Sequence, residues 1–216
     1  MIKKANRKQC DKSEGHSRHF LLLSLFAIIC SLTFLRPQTV AAQRSQEDNQ
    51  NLSIAIDYFQ GGKYHEALVI FSRLDSLYRL NPRIRAYTAL CYFYEDDFHH
   101  ASRIFDEVLP KLKAFSPEER SIYYKADADS HFELHQYDKA ETAYDSLLAI
   151  CPEKEKAEPY YRKGFIDIYN KVWMKALDDL QSSLVYYRRY QPDAKARTAQ
   201  IKNMIEGVCE NINKGL

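Results

Sequence analysis

A short pattern built around one alanine occurs four times along the chain, and it restricts the possible folds more than any other feature. The copies lie at 64–71, 98–105, 137–144 and 173–180, and each has an aromatic residue, an alanine three positions later and a large apolar residue four positions after that. The alanines are 34, 39 and 36 residues apart. Positions i, i+3 and i+7 share one face of a helix, and an alanine on that face lets another helix cross closely. The pattern therefore predicts repeated pairs of packed helices.

A second amphipathic stretch precedes each alanine helix, and prolines separate the units. These stretches are Ile54–Phe59, Tyr87–Tyr94, Tyr123–Leu134 and Tyr160–Tyr169. The segment Ser116-Pro117-Glu118-Glu119 predicts a helix start, with Ser116 as the N-cap and Glu119 completing a capping box. Turn-rich β folds consume glycine, and this chain has only 6 glycines in 216 residues, so we predict an all-α fold.

The four units resemble the tetratricopeptide repeat, a helix–turn–helix of about 34 residues with preferred residue types at set positions. The segment 121–154 fits best, and its matching residues are Tyr124, Ala128, Tyr137, Ala140, Tyr144, Leu147 and Pro152. Some positions depart from the family: position 7 is polar in repeats two to four (Thr88, Asp127 and Lys163), and His131 replaces the aromatic residue at position 11. The resemblance implies a right-handed α-solenoid of about four such repeats.

The predicted organisation begins with a signal peptide at 1–42 and a linker at 43–49. The four repeats occupy 50–191, at about 50–81, 82–115, 116–154 and 155–191. A solenoid must cover the exposed face of its last repeat. We therefore predict that 192–216 contains a C-terminal capping helix, whose apolar stripe is Ala196, Ile201, Ile205, Val208 and Ile212.

The N-terminal segment has the composition of a secretory signal. A basic start precedes 16 uncharged residues at Phe20–Leu35, and the small residues before Gln43 predict cleavage after Ala42. The alternative is an uncleaved membrane anchor, although 16 residues fall short of the roughly 17–25 that span a bilayer. Residues 1–42 hold seven of the 31 Lys and Arg residues and two of the 29 Asp and Glu residues, so cleavage would change the net charge from +2 to −3.

The remaining composition excludes several classes of protein. The near balance of charges disfavours a nucleic-acid binder. The sequence has no Gly-rich phosphate loop, no Gly-x-Ser-x-Gly and no His-Glu-x-x-His motif, so we predict no catalysis. Cys91, Cys151 and Cys209 fit no zinc spacing, and we predict that they are small buried residues. A Cys151–Cys209 disulfide is the alternative.

The resemblance also implies a binding surface, because tetratricopeptide repeats bind polypeptides on a concave face lined by the first helix of each repeat. Transferring the groove positions of the family gives the candidates Arg83, Leu90, Tyr94, Lys125, Asp129, Glu133, Tyr161, Phe165 and Tyr169. Phe59, Phe93 and Phe132 share position 12, and we expect them to pack between units. Tyr94, Tyr161 and Tyr169 are the favoured groove residues.

All five histidines after residue 42 lie in repeats one to three. His131 and His135 have the i, i+4 spacing that can place two imidazoles on one metal ion. No strong third ligand accompanies them, so we predict neither a metal nor another cofactor.

Together these features predict a non-enzymatic scaffold or adaptor. It would bind a protein or peptide partner in the periplasm, the cell envelope or the secretory space, with membrane contact only through an uncleaved N-terminal segment. One alternative is a structural subunit of an outer-membrane or envelope assembly complex. Another is a metal-binding or enzyme-accessory protein.

Overall fold

The computed structural model describes residues 45–215, which contain nine α-helices and no β-strand. Helix α1 covers residues 45–60. The helices that follow are α2 (Tyr64–Tyr78), α3 (Pro82–Tyr94), α4 (Phe98–Val108), α5 (Pro117–Glu133), α6 (Tyr137–Leu148), α7 (Ala157–Tyr169), α8 (Trp173–Tyr190) and α9 (Lys195–Asn213). Short 3₁₀ turns at Leu109–Lys111 and Glu153–Glu155 lie between repeats. The all-α prediction is confirmed.

Among the described residues, those from Ile54 onward form one compact unit, and residues 45–53 do not belong to it. The predicted signal peptide at 1–42 lies outside the described residues. The predicted linker at 43–49 is wrong from residue 45 onward, because 45–49 is already helical. That segment is polar but contains no glycine or proline, so nothing in it opposes a helix. Within residues 45–215, no helix combines the length and the apolar character needed to cross a membrane.

From α2 to α9, each helix packs against the next one along the chain. The four repeated alanines, Ala67, Ala101, Ala140 and Ala176, are fully buried at these crossings. Gly164 marks a close approach of α7 to α8, because a Cβ added there would lie 2.8 Å from the Leu180 side chain. Small residues therefore set the spacing between the helices of each pair, as the sequence pattern predicts.

The turn inside each repeat depends on one residue in the left-handed region of backbone space. The φ angles are +72° at Gly62, +59° at Asp96, +56° at His135 and +60° at Lys171, and the four residues occupy equivalent repeat positions. Only the first of them is glycine, the residue that adopts this conformation without strain. Three of the four turns therefore hold a side chain where glycine would be favoured.

The helix starts follow the sequence signals in part. The Ser116 side chain accepts a hydrogen bond from the Glu119 N–H at 3.3 Å, which confirms the predicted N-cap of α5. The Glu119 carboxylate does not complete a capping box. It pairs instead with Arg83 of α3 and accepts a hydrogen bond from the Tyr123 hydroxyl.

The last helix covers the end of the stack. Ile201 and Val208 of α9 are buried against Leu180 and Tyr187 of α8. Cys91, Cys151 and Cys209 are all free thiols, so the alternative of a Cys151–Cys209 disulfide is wrong. Cys91 and Cys151 are buried, as predicted, and burial raises the pKa of the Cys91 thiol to about 12.

Candidate partner-binding surface

The first helices of the first three repeats form an open groove of about 620 Å³. Its lining comprises Phe59, Gln60, Tyr64, Arg83, Tyr87, Leu90, Tyr94, Ser116, Glu118, Glu119, Ile122 and Tyr123. Three predicted residues therefore come together here: Arg83, Leu90 and Tyr94. Leu90 is only 4% exposed and contributes to the floor, whereas Tyr94 is 48% exposed.

Aromatic rings form one end of this groove. The Phe59 and Tyr87 rings stack with centroids 4.7 Å apart, and the Tyr64 and Tyr94 rings stack at 4.2 Å. Phe93 meets the Tyr94 ring edge-on at 5.3 Å. We call these five residues the first aromatic cluster. Packed rings lose little further conformational freedom on binding, which suits them to act as anchors for a partner.

A second aromatic cluster has the same construction in repeats three and four, and it consists of Phe132, Tyr137, Phe165 and Tyr169. The Phe132 ring lies 5.5 Å from Phe165 and 5.7 Å from Tyr137, and Tyr137 lies 4.7 Å from Tyr169. Phe165 is 38% exposed and Tyr169 is 65% exposed. Both were predicted as groove residues, and both reach solvent on a packed aromatic base.

The predicted charged residues are mostly paired within the chain. Lys125 binds Asp129 at 2.8 Å, and Asp129 also accepts a hydrogen bond from the buried Tyr144 hydroxyl at 2.7 Å. Glu133 faces Arg162 at 3.5 Å, and the Arg162 guanidinium lies over the Phe132 ring. These ion pairs help to position the first helices and the aromatic residues. Because the charges are already paired, they contribute little to binding a charged ligand.

Arg83 is also paired within the chain. Its guanidinium forms two hydrogen bonds with the Glu119 carboxylate, at 2.7 and 3.1 Å, and lies over the Phe115 ring. The hydrogen bond from Arg83 to Glu119 raises the pKa of the guanidinium above its ordinary value. The α3–α5 side of the groove is therefore fixed before any partner arrives.

Tyr161 corrects the prediction, because it is only 8% exposed and does not belong to an open groove. The Gln200 amide of α9 donates to its hydroxyl at 3.0 Å, and Arg197 lies 4.2 Å above its ring. The capping helix therefore covers Tyr161. The repeat pattern alone does not show where a helix outside the repeats will lie.

Tyr64 and Tyr137 are the residues that sequence analysis missed. They begin the second helices of repeats one and three, so the pattern assigns them to the repeat core. Each instead contacts an exposed tyrosine of a first helix, Tyr94 or Tyr169. The available signal was an aromatic residue at the start of a second helix, combined with a tyrosine at the end of the first helix of the next repeat.

The departures from the family at positions 7 and 11 have a structural explanation. They place buried polar residues where successive repeats meet: Asp127 and His131 on α5, and Lys163 and Asp167 on α7. Lys163 donates to Asp145 of the previous repeat at 2.6 Å. Burial is the largest single effect and lowers the pKa of Lys163, but the hydrogen bond to Asp145 and the nearby carboxylates of Asp179, Asp145 and Asp167 together outweigh it and raise the pKa. Both repeat interfaces are therefore polar at their centres.

Both polar interfaces contain carboxyl groups whose pKa is raised by burial. Desolvation raises the pKa of Asp127 to about 8, with a further contribution from Asp106. Asp167 and Asp179 face each other in the second interface, where burial raises the pKa of both. Lys175 reaches this pair as well and also contacts Glu141.

His131 and His135, the two candidates with metal-ligand spacing, do not share a helix face, because α5 ends at Glu133 and His135 adopts the left-handed turn conformation. His135 is exposed and bonds to the Tyr137 hydroxyl at 3.0 Å. His131 is buried and instead faces Asp106 and Asp127.

The stacked helix pairs, the buried alanines and the capping helix define an α-solenoid of the tetratricopeptide-repeat type. No family model and no curated protein matches this sequence. Solved structures match its fold. A MamA structure labelled AMB-1 is 10% identical, with a TM-score of 0.56 over 80% of this chain and 94% of that one. MamA from Desulfovibrio magneticus RS-1 is 16% identical, with a TM-score of 0.52 over 77% of this chain and 96% of that one.

A subunit of a larger assembly has the same fold over part of its length. The structure of the APC/C hetero-tetramer Cut9–Hcn1 matches with a TM-score of 0.54 and 15% identity over 74% of this chain. The match covers 29% of that protein. These similarities confirm the predicted right-handed α-solenoid of helix–turn–helix repeats.

Proposed function

We propose that this protein is a non-enzymatic scaffold that binds a protein or peptide partner through the first and second aromatic clusters. The observation that carries the proposal is the exposure of Tyr94, Phe165 and Tyr169 on first helices, each on a base of packed rings. Tyrosine is enriched at interface hot spots because it combines apolar area with a polar hydroxyl at little entropic loss.

The chemistry of the surface indicates the kind of partner. The charges beside the clusters are already neutralised, as in Arg83 with Glu119 and Arg162 with Glu133. Apolar and aromatic contacts, with hydrogen bonds to tyrosine hydroxyls, are therefore the main source of affinity. An amphipathic helix or an extended apolar segment fits this description, and its binding should depend only weakly on salt.

Binding to another protein agrees with the fact that one structural neighbour was solved as part of a protein assembly. One of these neighbours belongs to a hetero-tetramer, the APC/C assembly Cut9–Hcn1. By analogy of fold, we propose as an alternative that this chain is a structural subunit of a stable assembly, such as an outer-membrane or envelope complex. The two roles differ in the native size of the protein: an adaptor is recovered as a free monomer, whereas a subunit is recovered in a complex.

We also propose that the protein acts outside the cytoplasm, in the periplasm, the cell envelope or the secretory space. The support is the basic and then apolar segment at 1–35, which the small residues before Gln43 follow. Mass spectrometry of the protein purified from its host tests this. Export with cleavage predicts that the mature chain begins at Gln43, and an intact N-terminus in a cytoplasmic fraction would contradict it.

The binding proposal is tested by crosslinking in the host, identification of the partner by mass spectrometry and titration of the purified pair. The variant Tyr94→Ala with Tyr169→Ala should weaken binding at least tenfold, which corresponds to about 1.4 kcal/mol. The matched control is Val69→Ala with Met174→Ala, which removes side chains of 60% and 62% exposure from second helices. Equal affinity of the two double variants would refute the assignment of the surface.

A further inference from the structure

A cluster of metal-ligand side chains joins the second and third repeats. Asp106 comes from α4, and Asp127 and His131 come from successive turns of α5. The His131 Nε2 atom lies 3.3 Å from the Asp106 Oδ1 atom and 3.4 Å from the Asp127 Oδ1 atom. One ligand atom of each residue lies within 4.8 Å of the other two. His131 is 2% exposed and Asp127 is 5% exposed.

The hydrogen bonds around the cluster leave these three atoms facing one another. The His131 Nδ1–H donates to the Gln136 Oε1 atom at 2.9 Å, which directs the Nε2 atom toward the carboxylates. Lys139 holds the other Asp106 oxygen at 2.8 Å. Within residues 45–215, the Asp127 Oδ1 atom is buried without a hydrogen-bond partner. Such an atom normally requires a partner or an ion.

The spacing of these atoms is long for charge-assisted hydrogen bonds. The His131 Nε2 atom lies 3.3 and 3.4 Å from the two carboxyl oxygens, whereas charge-assisted N–H···O bonds measure about 2.7–2.9 Å. Tetrahedral zinc has bonds of about 2.0–2.1 Å to nitrogen and oxygen, which place neighbouring ligand atoms about 3.3–3.4 Å apart. The two distances from Nε2 therefore match the edges of a zinc coordination tetrahedron.

The surroundings also resemble those of a metal site. Histidine ligands usually donate their second N–H to a carbonyl or carboxylate oxygen, which is the role of Gln136 here. Two carboxylates balance the charge of a divalent ion. The Asp106 side chain is 45% exposed, which leaves a path from solvent and room for a water molecule as the fourth ligand.

We propose that Asp106, Asp127 and His131 bind a divalent first-row transition ion, with Zn²⁺ the best match, and that this ion ties the second repeat to the third. Nitrogen and carboxylate ligands in this number suit zinc better than calcium or magnesium, which prefer six or more oxygen ligands. The role is structural, because the ligands come from two successive repeats and the ion would add to the Arg83–Glu119 and Lys139–Asp106 pairs that join them.

The test is calorimetric titration of the full chain with Zn²⁺, starting from protein treated with a chelator. We expect one high-affinity equivalent for the wild type and at least tenfold weaker binding for Asp106→Asn and for Asp127→Asn. Gln136→Ala should weaken binding by about ten- to a hundredfold, because it removes only the residue that orients His131. The matched control is Asp145→Asn, at the equivalent position of the next repeat, where Lys163 replaces the second carboxylate.

Thermal unfolding provides an independent measurement. Added Zn²⁺ should raise the melting temperature of the wild type and of Asp145→Asn, and should leave that of Asp127→Asn unchanged. The proposal is overturned if the wild type binds no Zn²⁺. It is also overturned if the Asp106 and Asp127 variants bind it as tightly as the wild type, because the ion would then occupy other groups.

Discussion

Replacing Ala140 by leucine tests whether the repeated alanines mark helix crossings. Ala140 is fully buried in a cluster with Ala128, Tyr144, Leu147 and Ile166, all of them at most 3% exposed. Leucine adds three carbon atoms where these neighbours leave no space. Overpacking of this kind typically destabilises a protein by about 1–3 kcal/mol. A rigid site between two helices belongs at the upper end of that range.

The assay is thermal and urea unfolding followed by circular dichroism. For a chain of this size, 1 kcal/mol shifts the melting temperature by about 2–4 °C, so we expect a decrease of roughly 4–12 °C. Thr142→Leu is the control, because Thr142 lies on the same helix outside the buried cluster and should change stability by less than about 0.5 kcal/mol. A melting temperature of Ala140→Leu equal to that of the control would show that no helix crosses at Ala140.

Two further predictions concern backbone conformation and buried charge. Gly62→Ala should destabilise by about 1 kcal/mol because φ is +72°, whereas Gly207→Ala inside α9 should stabilise by about 0.5–1 kcal/mol, and shifts of the same sign would contradict this. Because burial raises the pKa of Asp167 and Asp179, the folded chain retains a proton that the unfolded chain loses above about pH 4. The free energy of unfolding should therefore fall as pH rises from there toward the raised pKa, and melts of Asp167→Asn at pH 4–8 should show a shallower decline. An equally steep decline would remove this pair as the cause.

The fold was predictable because its determinants are local and repeated. An aromatic residue, a buried alanine such as Ala101 and a large apolar residue such as Phe105 specify one helix face, and four copies specify the stack. The left-handed turns were not predictable in the same way. Asp96, His135 and Lys171 carry positive φ angles that the surrounding helices impose against local preference.

The candidate binding surface was predictable only as far as the repeat register extends. Tyr94 and Tyr169 are exposed where the register places them, while Tyr161 is covered by α9, a helix that follows no repeat pattern. The rings of Tyr64 and Tyr137 contact tyrosines of the next repeat. A linear repeat pattern does not specify which neighbouring helix a side chain at a helix end will contact.

Sequence spacing alone did not identify the residues that face His131. His131 and His135 have the right separation for one helix face, but the helix ends between them. The residues that do face His131 are Asp127, one turn earlier, and Asp106, which lies 25 positions away in another repeat. A contact over that distance depends on how the repeats stack, and its traces in the sequence were the departures from the family at positions 7 and 11.

Site-specific photo-crosslinking in the native host tests whether a partner binds at the two aromatic clusters. A photoreactive phenylalanine analogue is placed at Tyr94 or Tyr169, within the aromatic clusters, and at Val69 or Met174, which are similarly exposed on second helices. We expect the same partner to crosslink at Tyr94 and at Tyr169, and at neither control position. Crosslinks to a partner at Val69 or Met174, with none at the tyrosine positions, would contradict it.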